Sequence, residues 1–265
     1  MLDFTAYLWA GAALLLVATA FWIVSLVKDD VSIVDSVWSL MFLIAALAYL
    51  AAAEITGPRA VLVLGLVAVW ALRLAIYITW RNHGKPEDYR YQQIRANYEP
   101  GFKYKSFYIV FGLQGLLAWI IAVPLAVAIS GTGPLGLLDL TGATIWLTGF
   151  VFESVGDWQL ARFKREAANR GKVLDSGLWA YTRHPNYFGD FAVWWGFYLI
   201  ALSAGGSWTI FAPLLMTALL LKVSGVALLE KDIAERRPAY VDYIHRTNAF
   251  FPGPRRAPQI EERTS

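Results

Sequence analysis

Long apolar runs separated by short polar segments are the dominant pattern of this chain. Each run has about 20 residues, the length that crosses a bilayer as an α-helix. We predict seven spans, at roughly 5–27, 32–53, 60–80, 107–129, 136–160, 188–204 and 207–229. The first run lacks the basic start of a signal peptide, since its only early charge is Asp3. The predicted fold class is all-α, a polytopic membrane protein with seven transmembrane helices.

Composition supports this class, because 57% of the residues are hydrophobic and 12 are tryptophan. The chain has no cysteine, which excludes disulfides, thiolate nucleophiles and iron–sulfur clusters. No internal repeat or soluble domain is visible. We therefore predict one seven-helix domain over residues 1–265, with a flexible tail from about residue 252 onward.

Basic residues concentrate between spans three and four, between spans five and six, and in the C-terminal tail. Seven spans put all three segments on one side of the membrane and leave only Arg59 on the other. The positive-inside rule then predicts a cytoplasmic C-terminus and an N-terminus outside. The two long loops and the tail would form a cytoplasmic cap. Topology alone explains this basic bias, so it does not indicate nucleic acid.

Span two begins with Asp35 and Trp38, which share a helix face because they are three residues apart. Asp35 is either a carboxylate favoured by the helix dipole or a desolvated carboxyl that donates a hydrogen bond. On span three, Arg73, Tyr77 and Arg81 follow one another at intervals of four. This face suits an anion or neighbouring carboxylates, although Arg73 could also extend to the membrane surface.

Span five ends with Glu153, Asp157 and Lys164 on one face. Two carboxylates on a membrane helix need partners. They belong either to a structural ion-pair network or to a site for the hydroxyl, amide or amine groups of a polar ligand.

The segment 176–190 carries the densest polar chemistry. Pro185 is typical of the first turn of a helix, so we predict that span six begins near His184. Arg183, His184 and the helix N-terminus could bind an anion. Asn186, Asp190 and Trp194 recur every four residues and form a polar stripe that enters the membrane, which capping alone does not explain.

In the tail, Tyr240 and Tyr243 are three residues apart and either face one ligand or anchor the chain at the interface. Asn248 is a weaker candidate. No metal site is indicated, because the three histidines are isolated. Phosphate-binding glycine loops and a nucleophile elbow are also missing from the sequence.

At these residues the chain resembles the steroid 5α-reductase-like family, in particular its bacterial members. The pattern Ser-Gly-Leu-Trp-Ala-Tyr-Thr-Arg-His-Pro-Asn-Tyr-Phe-Gly-Asp over 176–190 is close to that family's signature. The resemblance covers about residues 35–252. It implies a seven-helix protein of the bacterial inner membrane that uses NADPH to reduce the C4=C5 double bond of a 3-oxo-Δ4-steroid or a similar apolar enone.

The resemblance also implies residue roles. Asp35 would be the neutral carboxyl that polarises the substrate ketone, while the apolar substrate would enter from the surrounding lipid. Trp38, Trp70 and Tyr77 complete the predicted catalytic set. The predicted cofactor-binding set is Arg73, Glu153, Asp157, Lys164, Lys172, Tyr181, Arg183, His184, Asn186, Tyr187, Asp190, Trp194, Tyr240, Tyr243 and Asn248.

Trp70 departs from the family's pattern, since animal members have a tyrosine three residues before the arginine that Arg73 matches. A tryptophan donates a hydrogen bond but does not deliver a proton. The identity of the acid therefore stays open, with Tyr77 or a water as candidates. The oligomeric state is not indicated.

Two other readings stay open. The Arg-His-Pro-x-Tyr pattern also resembles isoprenylcysteine carboxyl methyltransferases, which use S-adenosylmethionine and carry paired acids near the C-terminus. Glu230, Asp232 and Glu235 are the candidates for those acids. The Asp35–Trp38 pair and the acids of span five favour the reductase. A non-enzymatic sterol- or lipid-binding protein would not need so many charges at the cytoplasmic end.

Overall fold

The computed structural model describes residues 3–223, 225–230, 233 and 238–256, and the side chain of Leu228 is not among the described ones. These residues form helices and no strand. The helices are α1 (Phe4–Lys28), α2 (Ile33–Ala52), α3 (Pro58–Asn82), α4 (Tyr89–Tyr98), α5 (Phe102–Ile129), α6 (Leu137–Arg165), α7 (Pro185–Ser203), α8 (Ser207–Val223), α9 (Val226–Glu230) and α10 (Ala239–Arg246). Segment α5 includes a π-helical stretch, Phe107–Gly112.

Four helices within the described ranges are long and apolar enough to cross a membrane, namely α1, α2, α3 and α5. They coincide with the first four predicted spans, and the protein is an integral membrane protein. The count of seven spans is not confirmed. Helix α6 has 29 residues but carries Asp139, Glu153 and Asp157, and α8 is shorter than the other candidates. Spans five to seven therefore stay predictions, as does the orientation of the termini.

The helices fall into two compact units. Unit 1 comprises the described residues of Met1–Leu140 and Phe197–Ala212, and unit 2 comprises those of Thr141–Gly196 and Pro213–Ser265.

In unit 1, small residues let the membrane helices approach closely. Ala10, Leu14 and Ala18 form a buried face of α1. A Cβ on Gly115 of α5 would lie 3.6 Å from the Cβ of Ala18, which is ordinary contact distance. Such small-residue faces are a common way for helices to associate in a bilayer, where the hydrophobic effect does not bring them together.

One end of unit 1 is held by a buried ion pair. The Nε of Arg59, at the start of α3, donates to Oδ1 of Asp139 over 2.7 Å, and its Nη2 donates to Oδ2 over 3.0 Å. Ser203 donates to the same carboxylate over 2.7 Å. Arg59, the one basic residue predicted outside, therefore has a structural partner 80 positions away in the sequence.

A second set of charges fixes α4 to the segment between α1 and α2. Glu87 accepts hydrogen bonds from the backbone N–H of Val31 and from Nη2 of Arg95, each over 2.9 Å. Arg95 also contacts the carboxylate of Asp29 over 3.2 Å. The hydrogen bonds that Arg95 donates to Glu87 hold the pKa of Arg95 above its ordinary value. The loop after α3 is thus attached to the start of α2, although it is far away in sequence.

In unit 2, α6 and α7 approach each other through glycines. A Cβ on Gly149 of α6 would lie 2.5 Å from the carbonyl oxygen of Gly189 on α7. No side chain fits between the two backbones at this crossing. The close approach brings the polar residues one turn beyond it, on both helices, to one location.

Candidate functional site

The segment 176–184 enters α7 through a short 3-10 turn, Gly177–Ala180. Gly177 has φ 62, in the left-handed region that favours glycine. The indole of Trp179 donates to the carbonyl of Gly156 on α6 over 3.1 Å. Helix α7 begins at Pro185, which confirms the predicted start of this helix. The signature segment is therefore fastened to α6 before the polar stripe begins.

The described part of the C-terminal tail packs on the signature segment. The backbone N–H of Arg183 donates to the carbonyl of Asn248 over 2.9 Å, and the hydroxyl of Thr182 donates to that of Phe250 over 2.8 Å. The phenol of Tyr243 donates to the carbonyl of Trp179 over 2.5 Å. Burial, followed by the neighbouring phenol of Tyr240, raises the pKa of Tyr243 above its ordinary value. Tyr243 therefore stays protonated and holds the tail in place.

Arg183 and His184 form a buried cluster with Glu230 of α9. The guanidinium donates to both carboxylate oxygens over 2.7 Å, and to the carbonyls of Ile244 and Thr247 over 3.1 and 2.5 Å. The Nε2 of His184 lies 2.9 Å from the same carboxylate. Arg183 is therefore committed within unit 2, and its predicted contact with a cofactor phosphate would require Glu230 to move.

Glu230 is negatively charged in this cluster, because its pKa is lowered. Burial raises its pKa, but the hydrogen bonds from Arg183 and His184, together with the charge of Arg183, lower it from 4.5 to about 2. Glu230 is thus an ion-pair partner of Arg183. Asp232 and Glu235, the other two acids of the methyltransferase reading, lie outside the described residues.

The acids of α6 and the start of α7 come together. Glu153 and Asp157 are 3% and 4% exposed, and the side-chain amide of Asn186 donates to Oδ1 of Asp157 over 3.3 Å. Trp194, two turns further along α7, is fully buried, and Asp190 between them is half-buried. Two buried carboxylates and an amide on facing helices can bind the hydroxyl and amide groups of a polar ligand.

The other predicted cofactor residues of unit 2 differ in exposure. Lys164 and Lys172 are exposed, and Tyr181 is 54% exposed. Tyr187 stacks on the imidazole of His184 with 5.6 Å between ring centroids. Tyr240 packs edge-on against Tyr243, at 5.1 Å, and Asn248 accepts a hydrogen bond from Arg256 over 3.0 Å. The two lysines are thus accessible cations, whereas the tyrosines of α10 are parts of the tail's packing.

In unit 1, Asp35 at the start of α2 accepts two short hydrogen bonds. Nη2 of Arg90 donates to Oδ2 over 2.7 Å, and the phenol of Tyr91 donates to Oδ1 over 2.6 Å. Arg90 also donates to Asp88 from Nε over 2.9 Å. Both carboxylate oxygens of Asp35 thus already have a donor. The predicted contact of Asp35 with a substrate ketone would require one of these hydrogen bonds to open, and it stays a prediction.

Arg90 and Tyr91 were not among the sequence-predicted site residues. Arg90 entered the sequence analysis only as one of the basic residues between spans three and four. Its partner Asp35 is 55 positions away, which helical spacing cannot reveal. Tyr91 is 7% exposed, and burial, followed by the charge of Asp35, raises its pKa well above the ordinary value. The sequence signal that could have found these two residues is the run Asp88-x-Arg90-Tyr91. It places two opposite charges next to a phenol between the predicted spans three and four.

Aromatic side chains continue from Asp35 along α2 and α3. Trp38 packs edge-on against Phe42, with centroids 5.1 Å apart, and Phe42 lies 5.8 Å from the fully buried Trp70. The guanidinium of Arg73 lies 5.5 Å from the ring of Tyr77, and that of Arg81 lies 5.9 Å from it. The predicted common face of these three residues on α3 is confirmed, and its contacts are of the cation–π kind.

Comparisons with known proteins identify the family. Residues 21–247 match the model of a family described as "Protein of unknown function (DUF1295)". The chain belongs to the DUF1295 family. A relative from Schizosaccharomyces pombe, described as an uncharacterized protein, is 27% identical over 89% of this chain and 77% of its own length.

Two further relatives have a named activity. The 3-oxo-5-alpha-steroid 4-dehydrogenase 1 of Mus musculus is 34% identical over 30% of this chain, and that of Rattus norvegicus is 33% identical over 31%. The matches cover 31% and 30% of these two proteins. No solved structure matches. Over about a third of its length, the DUF1295 chain is thus similar to proteins of the steroid 5α-reductase type.

Proposed function

We propose that this protein is an NADPH-dependent membrane reductase that saturates a carbon–carbon double bond conjugated to a ketone. The substrate would be a 3-oxo-Δ4-steroid or a similar apolar enone that enters from the bilayer. The similarity to two 3-oxo-5-alpha-steroid 4-dehydrogenases supports this class of reaction. The observation that carries the proposal is the contact of the half-buried Asn186, at the start of α7, with the buried Asp157, with Glu153 one turn away.

The residues of unit 2 fit such a cofactor. Glu153 and Asp157 are buried acceptors, which suit the hydroxyls of a ribose and the amide of a nicotinamide. Asn186 has an amide that both donates and accepts. Lys164 and Lys172 are exposed cations of a kind suited to phosphates. When bound, NADPH would supply the hydride. The protein would position the cofactor against the substrate and exclude water.

Unit 1 offers what an apolar ketone requires. The aromatic side chains Trp38, Phe42 and Trp70 form an apolar cluster on α2 and α3, in which Trp38 is the partly exposed member. Asp35, which is held by Arg90 and Tyr91, would act as a fixed charge that positions neighbouring donors. Preorganised donors that face a developing enolate oxygen are usually the largest contribution to such a reaction. We propose this positioning role for Asp35 in place of direct proton donation.

The test is a comparison of ligands on the purified protein in lipid nanodiscs. NADPH, NADH and S-adenosylmethionine would be titrated, and binding would be read from the quenching of the fluorescence of its 12 tryptophans. We expect NADPH to bind, NADH to bind more weakly, and S-adenosylmethionine not to bind. Binding of S-adenosylmethionine without NADPH would replace this proposal with the methyltransferase reading.

Two variants sharpen this test. Asn186→Ala should weaken NADPH and NADH binding alike, by roughly threefold to tenfold, because it removes one side-chain hydrogen-bonding group. Lys172→Gln should weaken NADPH more than NADH if it contacts the additional phosphate. Lys103→Gln, which removes an exposed lysine of unit 1, is the matched control and should leave both affinities unchanged. Equal effects of the two lysine variants would remove Lys172 from the cofactor site.

A further inference from the structure

Gln114 is a polar residue within the apolar segment α5, with Leu113 and Gly115 as its neighbours in sequence. It lies two residues after the end of the π-helical stretch Phe107–Gly112, and such stretches are frequent at functional sites. Its side chain is half-buried. A polar side chain on a membrane helix is costly unless its hydrogen-bonding groups are satisfied, so it indicates a function by default.

The amide of Gln114 joins the Asp35 cluster. Its Nε2 donates to the phenol oxygen of Tyr91 over 3.1 Å, and that phenol donates to Asp35 over 2.6 Å. Three helices, α2, α4 and α5, thus contribute to one hydrogen-bonded chain. The second oxygen of Asp35 is occupied by Arg90, so both carboxylate oxygens have donors.

Among the described residues, Gln114 makes only this one hydrogen bond. A primary amide has two donor hydrogens and an acceptor oxygen, so one N–H and the oxygen remain. The phenol of Tyr91 has no hydrogen to spare, because it already donates to Asp35. Within this series of hydrogen bonds from Gln114 through Tyr91 to Asp35, Gln114 is therefore the neutral group with an N–H still available to a ligand.

We propose that Gln114 binds the ketone oxygen of an apolar ligand through its second N–H, and that Tyr91 and Asp35 hold the amide in position. The identity of the ligand as a ketone rests on the proposed function. A neutral amide suits a neutral carbonyl, since no ionic charge has to be desolvated in the membrane. A residue that only attached α4 to α5 would need one donor and would leave the rest of the amide unsatisfied.

The experiment measures recognition of the oxygen separately from recognition of the hydrocarbon. Binding of androst-4-en-3-one, which has a single oxygen, and of the hydrocarbon androst-4-ene is measured in nanodiscs by tryptophan fluorescence, without cofactor. Gln114→Met keeps the length of the side chain and removes the amide. We expect the affinity for the ketone to fall about threefold to tenfold, the effect of one hydrogen bond, with the hydrocarbon unaffected.

The matched control is Gln92→Met on α4. Gln92 is exposed and its amide donates to the carbonyl of Glu87 over 2.7 Å, so the chemical change is the same. Neither affinity should change. If Gln114→Met lowers the two affinities equally, or changes neither, then Gln114 has a structural role or binds water, and the proposal is wrong.

Gln114→Asn serves if the methionine variant does not fold. It keeps the amide but retracts it by one methylene, so it should also lose selectivity for the ketone. An unchanged ratio of the two affinities in this variant contradicts the proposal. Because no cofactor is present, the result is independent of NADPH binding. If the wild type binds no NADPH, the proposed function is wrong. If Gln114→Met then still loses its selectivity for the ketone, Gln114 remains supported as a ligand contact.

Discussion

The phenol of Tyr91 donates a hydrogen bond of 2.6 Å to Asp35, 56 positions earlier in the chain. This contact attaches α4 to the start of α2. Together with the Arg90 ion pair, it fixes both oxygens of Asp35 as acceptors. Under the proposed function, the groups around Asp35 take the donor role that the sequence analysis gave to Asp35 itself.

Tyr91→Phe should destabilise the protein by about 1.5–3 kcal/mol, because a buried hydrogen bond to a charged acceptor is lost. The midpoint of thermal unfolding in nanodiscs measures this loss. Tyr98→Phe is the matched control, since Tyr98 lies on the same helix and is 47% exposed. The control should have no effect. Equal midpoints for both variants would show that the contact to Asp35 does not stabilise α4.

Asp35→Asn should lower turnover by about 10²–10³-fold while NADPH binding is retained, under the proposed function. The amide cannot hold Arg90 and Tyr91 as the carboxylate does, so the neighbouring donors lose their positions. Turnover and cofactor affinity are measured on the same sample. Asp29→Asn is the control, because Asp29 is an 88% exposed carboxylate that contacts Arg95. Unchanged turnover in Asp35→Asn would remove Asp35 from the mechanism.

The Glu230 cluster predicts a dependence of stability on pH. The folded pKa of about 2 is below the ordinary 4.5, so this group stabilises the fold fully above pH 4.5. The contribution is lost as the pH falls from there toward 2. The unfolding midpoints of wild type and Glu230→Gln should differ at pH 6 and converge as the solution is acidified. A constant difference over this range would show that the ion pair with Arg183 does not account for it.

The ion pair of Arg59 and Asp139 predicts a large effect on stability. Asp139→Ala should cost about 3–5 kcal/mol, because it leaves a buried arginine without its charge partner. Glu166→Ala removes the partner of Arg162 in an exposed pair 4.0 Å apart and should cost less than about 1 kcal/mol. Chemical unfolding of both variants provides the comparison. Similar losses would show that burial does not determine the strength of these pairs.

The crossing of α6 and α7 can be tested at Gly149. Gly149→Ala should destabilise the protein by about 1–3 kcal/mol, since a methyl group would collide with the backbone of α7. It should also weaken cofactor binding by displacing Asn186 from Asp157. Gly65→Ala on α3 is the control, because nothing lies within 4 Å of an added Cβ there. A destabilisation of the same size in Gly65→Ala would contradict the packing argument.

Much of the local structure could be predicted. The first four spans, the start of α7 at Pro185 and the common face of Arg73, Tyr77 and Arg81 follow from apolar length, proline chemistry and helical spacing. These features depend on residues within a few turns of one another. The later spans are harder to predict because α6 mixes an apolar surface with three carboxylates.

The sequence by itself determined that this is a helical membrane protein, and it identified the polar residues that need an explanation. Only the tertiary structure decided their partners. Arg183 pairs with Glu230 across 47 positions, and Tyr91 and Gln114 meet Asp35 from two other helices. The physical reason is that helical periodicity gives the face on which a side chain lies, whereas the packing of distant helices determines which charge or amide it meets there.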